Sequence, residues 1–215
     1  MPASRLGRLQ QDVLDAFFRQ EQRFFLTGGG ALAGFHLGHR ETDDLDLFAL
    51  EDVLDDGVRA LTVAAAGLGA TIESISTSPD FRRRLVRRSG ESVIVDLVRE
   101  RVPQVTGEKP VLHGIRIDPP EEIFANKLAA LLSRAEIRDL VDVRALEDAG
   151  YDLEAALRGA VAKDASVTPG QVAWVLSQIT IGPDATLPGG VRPAELDAYR
   201  KRLISRLGAL ALPRQ

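Results

Sequence analysis

Residues 24–50 read FFLTGGGALAGFHLGHRETDDLDLFAL, and the parsing of this stretch decides the fold. A hydrophobic run, Phe24 to Thr27, ends in Gly28, Gly29 and Gly30. A second hydrophobic run opens on Asp44 and carries Asp46 two positions later, with Leu45 between them. Residues two apart on a strand face the same way, so a strand over Asp44–Leu50 sets the two carboxylates side by side. Carboxylates that close repel, and each is driven toward protonation unless a cation lies between them. The donor set suits a divalent ion with oxygen ligands. Mg²⁺ in particular takes one or two carboxylates together with phosphate oxygens, and Mn²⁺ is its usual substitute. Glycines close by let the backbone approach such phosphates. The glycine run matches neither the P-loop nor the GxGxxG pattern, and on its own it serves equally well as a tight turn.

Outward from this stretch, Leu6, Leu9, Val13, Leu14, Phe17 and Phe18 follow helical spacing and predict an amphipathic helix over residues 4–22. A brief helix is expected over Ala31–Leu37, and His39–Asp43 reads as a loop. Asp52–Gly67 predicts a second helix and residues 70–77 a strand. Phe81–Ser89 and Ser92–Val98 read as two strands with a turn at Gly90. In the second of these, Val93, Val95 and Leu97 share one face, and Ile94, Asp96 and Val98 the other. Val111–Ile117 is expected to add one short strand.

At Asp118 the pattern changes. Asp118-Pro119-Pro120-Glu121 is a strong helix start, and only helices are expected beyond it: 120–133, 136–149, 152–163, 169–180 and 193–210. Gly182–Val191, rich in Pro and Gly, reads as the irregular connection. The expected fold is α/β (α+β), with a mixed α/β core over residues 1–117 and a helical region over 118–215.

Bulk properties exclude several classes. The 215 residues are 45% hydrophobic and 27% charged, as in a globular protein with a substantial core. Absence of cysteine removes disulfides, thiolate metal sites and cysteine nucleophiles. No apolar run is long enough to span a membrane and the N-terminus lacks a signal-like segment, so a cytoplasmic location is expected. The net charge of −4 means that any nucleic-acid contact rests on a local patch. Arg82–Arg88, with Arg99 and Arg101, is the most basic part of the chain. It fits RNA backbone contact or, equally, a solvated edge strand.

Asp96 is a lone carboxylate among Val93, Ile94, Val95, Leu97 and Val98, which is costly unless something binds it. Should its strand lie beside Asp44–Leu50, three carboxylates converge as in sites for phosphoryl transfer. On the predicted helices, Lys127 and Arg134 share a face at i and i+7. Arg138, Asp139 and Asp142 lie on the next helix, where Arg138 and Asp142 are within pairing range.

A glycine pair, a spacer and DLD on a strand resemble the signature of the polymerase-β-like nucleotidyltransferases. Together with FANKLAALLSRAEIRDLVDV at residues 124–143, the stretch is similar to the AbiEii/AbiGii toxin branch, which includes MenT-like toxins. The resemblance spans roughly residues 24–146. It implies a small mixed sheet flanked by helices and a helical C-terminal region. It also implies transfer of a nucleoside monophosphate from an NTP to an acceptor hydroxyl. In that family pattern Gly28, Gly29 and Gly30 fall at the phosphate-binding turn, and Asp44 and Asp46 fall at the metal-binding carboxylates. Asp96 matches the third carboxylate of the wider superfamily and Lys127 the nucleotide-contacting lysine. Arg138, Asp139 and Asp142 match the acidic motif that follows. Mg²⁺ or Mn²⁺ is the implied cofactor. RNA, specifically the tRNA 3′ end, is the implied acceptor, and a cognate antitoxin the implied partner. Gly30 stands where Thr or Ser is common in the family, and the spacer to Asp44 is slightly long. Two other readings remain open here: a small-molecule or protein nucleotidyltransferase, and a non-catalytic binding module of the same fold.

Overall fold

The computed structural model describes residues 3–212, which divide into two compact units. The first runs up to Arg101 and includes Glu108–Pro119. The second comprises Val102–Gly107 and the chain from Pro120 onward.

The first unit is built on a five-stranded sheet with β1 (Phe25–Thr27), β2 (Asp44–Ala49), β3 (Thr71–Ser78), β4 (Phe81–Arg88) and β5 (Glu91–Arg99). Its order is β1-β2-β5-β4-β3. β2 and β5 run parallel and all other neighbours antiparallel, so the sheet is mixed, as expected. Helix α1 (Arg8–Phe18) and helix α3 (Leu54–Gly67) pack together, and both lie against β5. Leu45, Leu47, Val95 and Leu97 are fully buried, and Leu97 approaches α3 at Gly57. A Cβ at Gly57 would lie 2.5 Å from the Phe24 ring, so the glycine lets α3 sit close to the sheet. Strict alternation along β2 leaves Asp44, Asp46 and Phe48 half-buried on the face opposite Leu45 and Leu47.

Several boundaries differ from the sequence reading, among them the helix after the glycines, which begins at Gly28 rather than Ala31, and two of the differences have a clear local reason. α1 begins at Arg8 rather than residue 4, because the Arg5 N–H donates to the Ala33 carbonyl (3.0 Å) and the Gly7 N–H to Gln10 Oε1 (2.7 Å). The chain before Gly7 is thereby held off the helix axis. The single strand expected at Val111–Ile117 is a small hairpin, β6 (Val111–Leu112) and β7 (Ile115–Arg116). His113 and Gly114 both take positive φ (52° and 82°), as a tight two-residue turn requires. The same chemistry joins β4 to β5 at Ser89 and Gly90, with φ of 50° and 86°.

Between β1 and β2 lies α2 (Gly28–Ala31), a single turn that widens into a π-helical turn over Leu32–His36. Wide turns of this kind recur at functional sites.

The second unit is helical: α4 (Pro120–Arg134), α5 (Ile137–Asp148), α6 (Leu153–Lys163), α7 (Pro169–Gln178) and α8 (Pro193–Ala211). α4 packs on α5, α6 and α7, while α7 and α5 pack on α8. Asp152 caps α6 by accepting from the Glu154 N–H (2.7 Å) and the Ala155 N–H (3.0 Å). Thr168 and Gln171 form the capping box of α7. Val102–Gly107 joins this unit because the Thr106 N–H donates to Glu122 Oε2 (2.8 Å) and Val105 packs on Gly159. Glu122 in turn pairs with Lys163. Among the described residues, no helix is long and apolar enough to cross a membrane.

Candidate active site

In the first unit the mixed topology lines up one row across the whole sheet. Thr27 on β1 faces Asp46 on β2, Asp46 faces Asp96 on β5, Asp96 faces Arg83 on β4, and Arg83 faces Ser76 on β3. Residues directly opposite on neighbouring strands share a face. Asp44, two residues before Asp46, therefore points to the same side as the row. The aspartates differ in exposure: Asp44 and Asp46 are half-buried, whereas Asp96 is 4% exposed.

Each carboxylate has its own support. The Thr42 hydroxyl donates to Asp44 Oδ1 at 2.7 Å. Asp96 is gripped by Arg83 through two parallel bonds, Nε to Oδ1 at 2.8 Å and Nη2 to Oδ2 at 2.6 Å. Such a fork is the strongest common ion-pair geometry. The hydrogen bonds that Arg83 donates to Asp96, and then the charges of Asp96, Asp44 and Asp46, hold the Arg83 guanidinium above the usual arginine range. The cation on β4 thus feels all three carboxylates. Sequence reasoning placed Arg83 only within a basic run, because neither the strand order nor the register could be read from the chain.

The three glycines prove to have separate tasks. Gly28 has φ of +60°, and a Cβ there would sit 2.5 Å from Asp46 Oδ2. A Cβ at Gly29 would meet Arg40 Nη2 at 2.8 Å and Thr42 Oγ1 at 3.2 Å. At Gly30 the neighbours are Leu26 and Leu45 side chains, at 3.2 and 3.5 Å. Gly28 brings backbone against the Asp46 carboxylate, Gly29 makes room for the buried Arg40, and Gly30 packs on the core. Arg40, expected as a loop residue near the phosphates, is 6% exposed and donates to the Glu41 carbonyl at 2.9 Å.

Mg²⁺ or Mn²⁺ fits this donor set. Asp44 and Asp46 present carboxylate oxygens on one face, and backbone approaches Asp46 along a path that a side chain at residue 28 would fill. Among the described residues, no group of three or more His, Cys, Asp and Glu is assembled to hold a metal. Two carboxylates from the protein, completed by phosphate oxygens and water, is the pattern Mg²⁺ prefers.

The second unit holds its own charged cluster. Lys127 Nζ on α4 contacts Asp139 Oδ1 (2.8 Å) and Asp142 Oδ2 (2.7 Å) on α5. Arg134, about two turns further along the same face of α4, forks the same Asp139 at 2.7 and 2.9 Å. Both aspartates are fully buried and Lys127 is 6% exposed. Burial alone would discharge Lys127, but Asp142 and Asp139 outweigh it and hold the ammonium above the usual lysine range. Burial likewise opposes the charge of Asp139. Arg134 and Lys127 overcome it and keep the carboxyl below the usual aspartate range. Arg138 forms an ion pair with Glu136.

The arginine run calls for a correction. β4 is an interior strand between β5 and β3, so it is not a charged sheet edge. Its arginines are largely matched with acids of the first unit. Arg82 pairs with Asp55 (3.1 Å), Arg87 with Glu73 (2.8 Å) and Arg88 with Asp12 (2.7 Å). Arg99 pairs with Asp52 (2.7 Å) and Arg101 with Asp80 (2.8 Å). His36 makes a 2.8 Å hydrogen bond with the Asp118 carbonyl.

Residues 12–211 match the family described as nucleotidyl transferase AbiEii toxin, type IV toxin–antitoxin system. No curated protein sequence matches. Among solved structures, MenT4, a nucleotidyltransferase toxin of Mycobacterium tuberculosis H37Rv, superposes with a TM-score of 0.60 at 19% identity, covering 96% of this chain and 83% of that one. JHP933 from Helicobacter pylori gives 0.54 at 18% identity, with 95% and 92% covered. A further H. pylori protein, crystallised as a candidate nucleotidyltransferase, gives 0.56 at 20% identity, with 96% of both chains covered. At these identities the structural likeness speaks to the fold alone, whereas the family match spans nearly the whole chain. The chain belongs to the AbiEii family: it is a nucleotidyltransferase of the type IV toxin–antitoxin class, with a nucleotide as substrate and an antitoxin as partner.

Proposed function

We propose that this enzyme transfers a nucleoside monophosphate from an NTP to a hydroxyl of RNA, at the tRNA 3′ end, in the cytoplasm and with Mg²⁺ or Mn²⁺. The observation that carries the chemistry is the pair Asp44 and Asp46, half-exposed on one face of β2 with the Gly28 backbone against Asp46. The acceptor hydroxyl gives up its proton, to Asp96 or to water, and its oxygen bonds to the α-phosphorus as the bond to the oxygen bridging to the β-phosphate breaks, releasing pyrophosphate. A bound divalent ion would supply charge stabilisation for the phosphate oxygens in that displacement. Asp44 and Asp46 would hold it, and Thr42 fixes the Asp44 carboxylate in the required rotamer. By the family resemblance Gly28 and Gly29 lie at the phosphate-binding turn, with the Asp46 carboxylate against the first and Arg40 against the second. Lys127 is the lysine that the family resemblance assigns to the nucleotide, and within the second unit its ammonium is met by Asp139 and Asp142. Asp139 and Asp142 act through Lys127, holding its ammonium charged and in place. Asp96 assists the attacking hydroxyl only when Arg83 releases its oxygens.

The RNA acceptor rests on family resemblance. Pairwise neutralisation of the arginine run favours, as a second reading, a small-molecule or protein acceptor. Incubation with each of four α-labelled NTPs, Mg²⁺ and tRNA, against total RNA lacking tRNA and against buffer alone, separates these readings. Label on tRNA 3′ ends with one preferred NTP is the expected result. Label confined to the protein, or to a small acceptor from cell extract, would overturn the RNA reading.

A further inference from the structure

We propose that Arg83 is a built-in counter-ion of the carboxylate row, a positioning residue that keeps Asp96 out of the metal's ligand set and sets divalent-cation affinity. The inference rests on Asp44 and Asp46 being the metal-holding pair.

Four observations place Arg83 in that role. Register puts it directly opposite Asp96, which is directly opposite Asp46. Its guanidinium engages both oxygens of Asp96, and a carboxylate so engaged has its best lone pairs committed. The Phe81 ring, 5.5 Å from the guanidinium carbon, supports the cation from its own strand. Exposure is uneven: the Asp96 side chain is 6% exposed and that of Arg83 40%. The acid is fixed, while the cation reaches solvent and has room to move.

Charge gives this arrangement a consequence. A guanidinium within the field of Asp44 and Asp46 partly cancels the negative potential that would attract a divalent ion. With Arg83 in place, the protein offers two carboxylates and a repelling cation, so metal binding leans on the triphosphate that arrives with it. Without Arg83, the row offers three carboxylates and no fork. The choice of arginine follows: a lysine would keep the charge but grip Asp96 through a single point.

Titration of Mn²⁺ into the full chain, followed by the loss of the free-ion electron spin resonance signal, tests this directly. Arg83→Gln is expected to bind Mn²⁺ about tenfold more tightly than wild type. Arg83→Lys is expected to stay within about threefold of wild type, since the charge is retained. Arg83→Gln/Asp96→Asn, which removes one charge of each sign, is expected to return close to wild type. Should Arg83→Gln fail to fold, Asp96→Asn decides instead. It leaves Arg83 charged beside Asp44 and Asp46, and is expected to bind Mn²⁺ about tenfold more weakly. Equal or weaker binding by Arg83→Gln, with wild-type binding abolished by Asp46→Asn, would overturn the proposal and leave the metal site standing. Unchanged binding in Asp46→Asn would overturn the metal site itself.

Discussion

On β2, Asp44 and Asp46 are half-exposed, and the backbone of Gly28 runs against one of them. Between α4 and α5, Asp139 and Asp142 are fully buried, and each contacts Lys127, with Arg134 added on Asp139. Both regions gather carboxylates that would repel one another in isolation. In the helical unit the cations lie between fully buried carboxylates, and the cluster is closed. On the sheet, Arg83 forks the buried Asp96 while Asp44 and Asp46 stay half-exposed. The contrast teaches that acidic residues at suggestive spacing say little until exposure is known: one cluster is shaped to take something in, the other to hold a lysine still.

Several substitutions would sharpen or break this contrast. The largest stability effect is expected for Lys127→Met, which removes the ammonium between two buried carboxylates and leaves Asp139 held by Arg134; a loss of about 3–5 kcal/mol in urea unfolding is predicted. A loss near zero would mean the cluster is solvated and the contrast false. Gly28→Ala places a methyl 2.5 Å from Asp46 Oδ2 at a φ of +60°. About 1–3 kcal/mol of destabilisation is expected, together with weaker nucleotide binding, measurable by calorimetry. Gly67→Ala, where a Cβ meets nothing within 4 Å, is the control and should be neutral or slightly stabilising.

The closed cluster also predicts a pH dependence. The Asp139 carboxyl is held below the usual aspartate range, so its stabilising contribution is complete above the unfolded value and is lost as pH falls through the folded one. Wild type should therefore exceed Asp139→Asn in stability above about pH 4, and the gap should close in more acidic buffer. A gap that persists unchanged at low pH would contradict that assignment. The smallest effect is expected for Thr42→Val, which removes the 2.7 Å bond to Asp44 and should cost about 1 kcal/mol in Mn²⁺ affinity without moving the unfolding midpoint.

Much of this molecule was legible from its residues. Alternation of Asp44, Asp46 and Phe48 with Leu45, Leu47 and Ala49 gave β2 and its acid face, because burial on one side of a sheet enforces a period of two. Capping at Thr168-Pro169-Gly170-Gln171 located α7 for similarly local reasons. Spacing also placed Lys127 and Arg134 on one face of α4, where both reach Asp139. What depended on strand order was hidden. The Arg83–Asp96 fork joins residues thirteen apart across a hairpin whose exact register the sequence leaves open. The same ignorance made β4 look like a candidate edge when it is interior. The support from Thr42 and the room that Gly29 leaves for Arg40 required knowing how the loop before β2 folds back.

The central claim is that the open acid face of the sheet carries the chemistry. Pyrophosphate release under single-turnover conditions, compared between wild type and Asp46→Asn with thermal unfolding followed in parallel, tests it most directly. A loss of at least about 10²-fold is expected, the scale of removing one group that stabilises transition-state charge, with an unfolding midpoint unchanged or raised. Turnover by Asp46→Asn within about threefold of wild type, with the fold intact, would contradict it.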